Sequence, residues 1–183
     1  MEKILITGTS KGLGKFLKKS LEKKYSVKGI SRKNFYDIKN TKKIIEYIET
    51  NKFDYFINNA YEDHYQIILN YEVFKIWKNK KKRIINISST SDDHMYGGMI
   101  SGIREPYLYG VWKNALSSAS KNLSYVSYYN KYKCKITNIR LGYMDTKMSK
   151  HRNLKKIKLI EIFKVIENLL KSSTNITELT ILP

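Results

Sequence analysis

At 183 residues, with 42% hydrophobic residues and only two prolines, the chain is long enough to bury a core without metal or disulfide staples and shows no linker-like stretch. A formal charge of +19 brings polyanions into consideration, but the lysines are scattered, and neither zinc-finger spacings nor aromatic-interleaved single-strand platforms occur. Nucleic acid is therefore not expected as the main partner, and the lone Cys134, in the strand-like "KCKITNIRL", excludes an intramolecular disulfide and points to a buried structural thiol.

Met1-Glu2-Lys3 leads directly into a first strand, leaving no room for a signal peptide, and no apolar run is long enough to span a bilayer. A cytoplasmic location without membrane attachment is expected. Short apolar runs predict strands near 3–7, 26–30, 35–38, 54–58, 83–88, 133–140 and 177–181. Amphipathic periodicity predicts helices near 12–24, 41–51, 66–79, 107–129 and 157–172. This alternation predicts one α/β domain over 1–183, a doubly wound and mainly parallel sheet of about seven strands with helices on both faces. Ligands of such sheets bind outside the carboxyl ends of the strands, where the strand order reverses. The residues to watch are thus "TGTSKGLG", "SRKN", "NNAYED", "SSTSDD" and "LGYMDT".

The first of these places three of the chain's 9 glycines, Gly8, Gly12 and Gly14, at one strand-to-helix junction. There backbone N–H groups and the positive helix end can approach a phosphate; a tight turn with close helix packing is the alternative. Four Tyr-x-x-x-Lys spacings occur, at Tyr71/Lys75, Tyr109/Lys113, Tyr129/Lys133 and Tyr143/Lys147. Only Tyr109/Lys113 follows the strand ending in Ser88-Ser89 and opens a long helix, where a spacing of four puts both side chains on one face.

Taken in order, these motifs resemble the short-chain dehydrogenase/reductase family over nearly the whole chain. Thr7-Gly8-x-x-x-Gly12-x-Gly14 is similar to the family's TGxxxGxG turn, and Asn58-Asn59-Ala60 to its NNAG motif with Tyr61 in place of the last glycine. "INISS" at 85–89 resembles the strand ending in the catalytic serine, "YGVWKNAL" the YxxxK helix, and "LGYMDTKM" the PGxxxT segment with Leu141 in place of proline. The resemblance implies a Rossmann-fold NAD(P)-dependent oxidoreductase acting on a small carbonyl substrate. Tyr109 would be the acid/base, Lys113 would tune it and hold the nicotinamide ribose, and Ser89 would polarise the substrate oxygen, with Ser88 and Thr90 as rivals. Asn70 would support a proton-relay water.

The same resemblance assigns Gly8, Ser10, Lys11, Gly12, Leu13 and Gly14, together with Asn59, Ala60, Gly142 and Thr146, to the cofactor cleft. Asp37 and Ile38 would contact the adenine ring. After the second strand, Ser31-Arg32-Lys33 stands where an NAD-preferring enzyme carries an acid, so Arg32 and Lys11 imply NADP(H) over NAD(H) through a 2′-phosphate. The long stretch between Ser89 and Tyr109 reads as a mobile loop governing substrate choice, and its Asp92, Asp93 and His94 are too close together to imply a metal. Asp37 comes only five residues after Arg32, so the usual intervening helix is expected to be missing, a shortcut similar to extended members such as dTDP-4-dehydrorhamnose reductase. A sugar-nucleotide enzyme and a non-catalytic NADP-binding regulator are the alternatives. Apolar residues along 107–129 predict a homodimer or homotetramer through that helix.

Overall fold

The structure, a computed structural model, describes residues 1–92, 106–149 and 153–183. The side chains of Asp92, Asp93 and His94, and residues 93–105 of the predicted substrate loop between Ser89 and Tyr109, lie outside the described residues.

Six strands, β1 (Lys3–Thr7), β2 (Ser26–Ile30), β3 (Tyr55–Asn58), β4 (Arg83–Ser89), β5 (Lys135–Leu141) and β6 (Glu178–Ile181), form one sheet in the order β2-β1-β3-β4-β5-β6. All five pairings are parallel. The helices α1 (Gly12–Leu21), α2 (Thr41–Asn51), α3 (Tyr65–Trp77), α4 (Pro106–Tyr129) and α5 (Leu159–Lys171) carry the crossovers. Because both faces are covered, central strands read as unbroken apolar runs: Ile4, Leu5 and Ile6 are all fully buried. Alternation then divides them. Ile4 and Ile6 join Leu13, Leu17 and Leu21 of α1 and Ile162, Ile166 and Leu169 of α5 on one face. Leu5, Phe56 and Ile84 join Ile44 and Ile48 of α2, Leu69, Val73 and Trp77 of α3 and Leu123 of α4 on the other. Cys134 is buried in this second core, and burial pushes its thiol up to about 12.

The sheet has six strands, not seven, because the predicted strand at 35–38 does not form. A one-turn 3-10 helix (Arg32–Asn34) follows β2, held by the Ser31 backbone N–H donating to Asn34 Oδ1 at 2.6 Å. Phe35 then turns left-handed at φ +64°, which no ladder residue can adopt, and Asp37 Oδ1 accepts the Lys39 N–H at 3.0 Å. Between Arg32 and Asp37 the chain forms only this 3-10 turn and no α-helix, and β2 is the sheet edge. From there α2 carries the chain across β1 to β3, so the order reverses between β1 and β3, at the carboxyl ends where the glycine turn and Asn59-Ala60 lie. Among the described residues no helix is long and apolar enough to cross a membrane, and no cluster of metal-ligating side chains occurs.

Candidate active site

The turn after β1 is knitted to the turn after β3. Thr7 is fully buried, and its Oγ1 accepts the N–H groups of Asn59 (2.9 Å) and Ala60 (2.8 Å), while Asn59 Nδ2 donates to the Thr7 carbonyl at 2.9 Å. The glycines divide by role. A Cβ on Gly14 would lie 2.4 Å from the Gly8 carbonyl oxygen and 2.6 Å from Asn59 Nδ2, so Gly14 permits close packing of α1 on the turn. A Cβ on Gly12 would meet nothing within 4 Å, although its φ of +56° is left-handed. Gly12 therefore borders open space at the amino end of α1, where the N-cap Lys11 supplies no side-chain capping hydrogen bond and the first-turn N–H groups of Gly12, Leu13 and Gly14 lack intrahelical acceptors. A backbone donor set beside an opening that a methyl group would enter fits a pyrophosphate.

At the carboxyl end of β4, α4 presents Tyr109 and Lys113. Gly110 makes this approach possible, since a Cβ there would lie 2.9 Å from the carbonyl oxygen of Ser91. Lys113 is only 3% exposed, and its Nζ donates to Gln66 Oε1 and to the Ile87 carbonyl, each at 2.8 Å. The ammonium lies 5.6 Å from the Tyr109 ring centre and 5.5 Å from that of Tyr61, and the two rings meet edge-on at 4.8 Å. Burial, with Asp63 second, pushes the Tyr61 phenol well above its ordinary range. The serines differ. Ser88 is buried, donates from Oγ to the Lys113 carbonyl at 3.1 Å and lies 3.0 Å from Ser117 Oγ, so it is engaged in holding β4 to α4. Ser89 is partly exposed, its Oγ accepts the Ser91 N–H at 3.2 Å, and it lies 3.0 Å from Ser91 Oγ. Thr90 opens the 3-10 turn (Thr90–Asp92) beyond it.

Beneath this cluster lies a buried polar layer that sequence reasoning missed. Asn58, Asn86 and Asn138 stand in register across β3, β4 and β5. Asn58 Nδ2 donates to Asn86 Oδ1 (2.9 Å), and Asn86 Nδ2 donates to Asn70 Oδ1 (2.9 Å) and Ser120 Oγ (3.0 Å). Asn70 is thus fully buried within this layer, and its Nδ2 has no hydrogen-bond partner among the described residues. Gln66 was missed too, although a glutamine on an otherwise apolar helix face signals a buried polar partner. Gly110 carried a signal as well, since a glycine inside a helix costs about 1 kcal/mol against alanine and implies a packing reason.

At the edge formed by β2, Arg32 is 75% exposed at its side chain and pairs with Glu62 at 3.7 Å. Lys39 pairs with the same carboxylate at 2.8 Å, which raises the lysine's pKa through that hydrogen bond. Glu62 thus gathers two cations at the rim, a convergence that the spacing did not reveal. Ile38 is buried beside Ile30 and Ile44, and Asp37 is held in its turn. Ser10 and Lys11 lie at the surface of the glycine turn. Gly142 and Thr146 follow β5: the Gly142 N–H donates to the Ile181 carbonyl at 2.9 Å, and Thr146 accepts the Ser149 N–H at 3.1 Å.

This fold, a parallel sheet with a glycine turn at its switch point and a Tyr-x-x-x-Lys helix, is a Rossmann fold similar to that of solved short-chain dehydrogenases. A short-chain dehydrogenase from Burkholderia cenocepacia in complex with NADP is similar with a TM-score of 0.76 at 15% identity, over 100% of this chain and 90% of that one. One from Leptospira borgpetersenii with bound NAD+ gives 0.74 at 18% identity, over 98% and 91%. A 4-hydroxyisoleucine dehydrogenase complexed with NADH gives 0.70 at 21% identity, over 99% and 96%. No protein-family model matches the sequence, and no curated protein does.

Proposed function

We propose that the protein is an NADPH-dependent oxidoreductase of the short-chain dehydrogenase/reductase type, reducing the carbonyl of a small ketone, aldehyde or sugar-like substrate. The observation that carries this reading is the buried Lys113 ammonium 5.6 Å from the Tyr109 ring, beside the strand end that presents Ser89. When bound, the cofactor supplies the hydride. Tyr109 gives its phenolic proton to the carbonyl oxygen as negative charge develops there, and Ser89 donates a hydrogen bond to the same oxygen. A phenol is a weak acid near neutrality, and the Lys113 charge beside it favours the phenolate and so eases the transfer. Asn70, with its buried Nδ2 lacking a partner among the described residues, supports the water that returns a proton to Tyr109.

Gly8, Ser10, Lys11, Gly12, Leu13 and Gly14 would hold the pyrophosphate, Asn59, Ala60, Gly142 and Thr146 would line the cofactor cleft, and Asp37 and Ile38 would contact the adenine. Lys11 and Arg32 would take the 2′-phosphate, for which Arg32 would exchange the Glu62 carboxylate. The short link through Phe35 favours one second reading, a sugar-nucleotide reductase. Consumption of NADPH against a panel of small carbonyls and nucleotide-linked ketosugars tests both; no turnover with any member would overturn them.

A further inference from the structure

We infer that Gln66 is a positioning residue for the Lys113–Tyr109 pair, an inference that rests on the oxidoreductase reading above. The amide of Gln66 can sit only one way round. Its Nε2 donates to two carbonyls, Asn58 O at 2.7 Å and Ile87 O at 3.1 Å, so a flip would set oxygen against oxygen twice. Oε1 is thereby aimed at Lys113 Nζ, which it accepts at 2.8 Å, and Gln66 is itself only 1% exposed. The two carbonyls that orient it belong to the carboxyl ends of β3 and β4, and α3 packs it over both. Asn58 Nδ2 in turn donates to the Gln66 main-chain carbonyl at 2.9 Å, which ties the backbone at Gln66 to the end of β3.

The consequence for Lys113 is geometric and electrostatic. Gln66 Oε1 and Ile87 O are neutral acceptors, so they hold the ammonium in place without cancelling its charge. A carboxylate at position 66 would hold it equally well and neutralise it. Among the described residues, the groups around the ammonium include Gln66 from α3, the Ile87 carbonyl from β4, Tyr61 from the segment after β3, and Tyr109 one helical turn back on α4. With the position held by neutral acceptors, the field of Lys113 falls on Tyr109, 5.6 Å away at the ring centre.

The test is the ultraviolet titration of Tyr109, read near 295 nm as the difference between each protein and its Tyr109→Phe counterpart, beside fluorescence titration with NADPH. Gln66→Met removes the acceptor at nearly constant volume and should raise the Tyr109 midpoint by about half a pH unit or more and weaken NADPH binding several-fold. Gln66→Asn, which keeps an amide but withdraws it by one methylene, should move both quantities the same way by less, and stands in if the Met variant does not fold. An unmoved or lowered midpoint in a folded variant would overturn the assignment, even if thermal stability fell. Failure of the parent protein to bind NADPH would instead overturn the oxidoreductase reading, and the titration, which needs no cofactor, would still decide the role of Gln66.

Discussion

Replacing Gly12 by alanine separates a cofactor cradle from a structural turn. The new methyl group would meet no protein atom within 4 Å, so the native fold has no steric objection to it. Its backbone cost is that of an L-residue at φ +56°, about 1–2 kcal/mol. For a chain of this length that lowers Tm by a few degrees, roughly 2–4 °C per kcal/mol. The open space beside Gly12 is where the pyrophosphate is placed, so NADPH affinity should fall at least about tenfold, equivalent to roughly 1.4 kcal/mol. Gly14→Ala is the control with the opposite signature. Its Cβ would lie 2.4 Å from the Gly8 oxygen, so the turn itself must move, at about 1–3 kcal/mol or more of stability. The assays are urea unfolding and NADPH fluorescence titration on the same preparations. A folded Gly12→Ala protein with an unchanged dissociation constant would show that the glycine turn serves geometry alone.

NADPH should bind more tightly than NADH, and Arg32→Asp should abolish or reverse that preference; equal affinities in the parent protein would refute the 2′-phosphate assignment. The protein should be a dimer or tetramer by light scattering, through the face of α4 that leaves Tyr107, Val111, Tyr125, Tyr128 and Tyr129 exposed, whereas a monomer at high concentration would refute it. Cys134 should resist alkylation in the native state and react on unfolding, because burial raises its thiol from an ordinary value of 9.0 to about 12. The same shift sets a pH dependence. Above the unfolded-state value the unfolded chain releases a proton that the folded chain retains, so stability is full below about pH 9 and declines as pH rises toward 12. Tyr55 and Tyr61, raised chiefly by burial, act in the same direction, and urea midpoints that do not fall between about pH 8 and pH 10.5 would contradict this.

The elements were legible where one face or both had to be apolar. β1, β2 and α2 have their predicted bounds because a buried strand and an amphipathic helix each leave a periodic trace. The segment 35–38 failed because its apolar content is real but serves a different end. Ile38 is buried in the same core cluster as Ile30 and Ile44, while the left-handed Phe35, invisible to hydropathy, prevents a ladder. At the site, the Gly8–Gly12–Gly14 spacing and the Tyr109/Lys113 spacing could be read because local geometry demands those residue types. Glu62 and the Asn58–Asn86–Asn138 row could not, since each derives its role from neighbours distant in sequence, and Gln66 showed only that it needed a buried partner, not which one. The apolar excess assigned to α4 was also partly internal: Leu116 and Leu123 are buried, and Trp112 packs 5.6 Å from His64.

The central claim is that Tyr109 performs acid/base chemistry on a carbonyl held beside Ser89. It is tested most directly by comparing the protein with its Tyr109→Phe variant for NADPH oxidation against small carbonyl compounds and for NADPH affinity. Loss of the phenolic proton should lower kcat by at least about a hundredfold, the lower end of what a positioned acid contributes, while the dissociation constant of NADPH stays within a few-fold of the parent value. A Tyr109→Phe protein that reduces the same substrates at the parent rate would contradict the account.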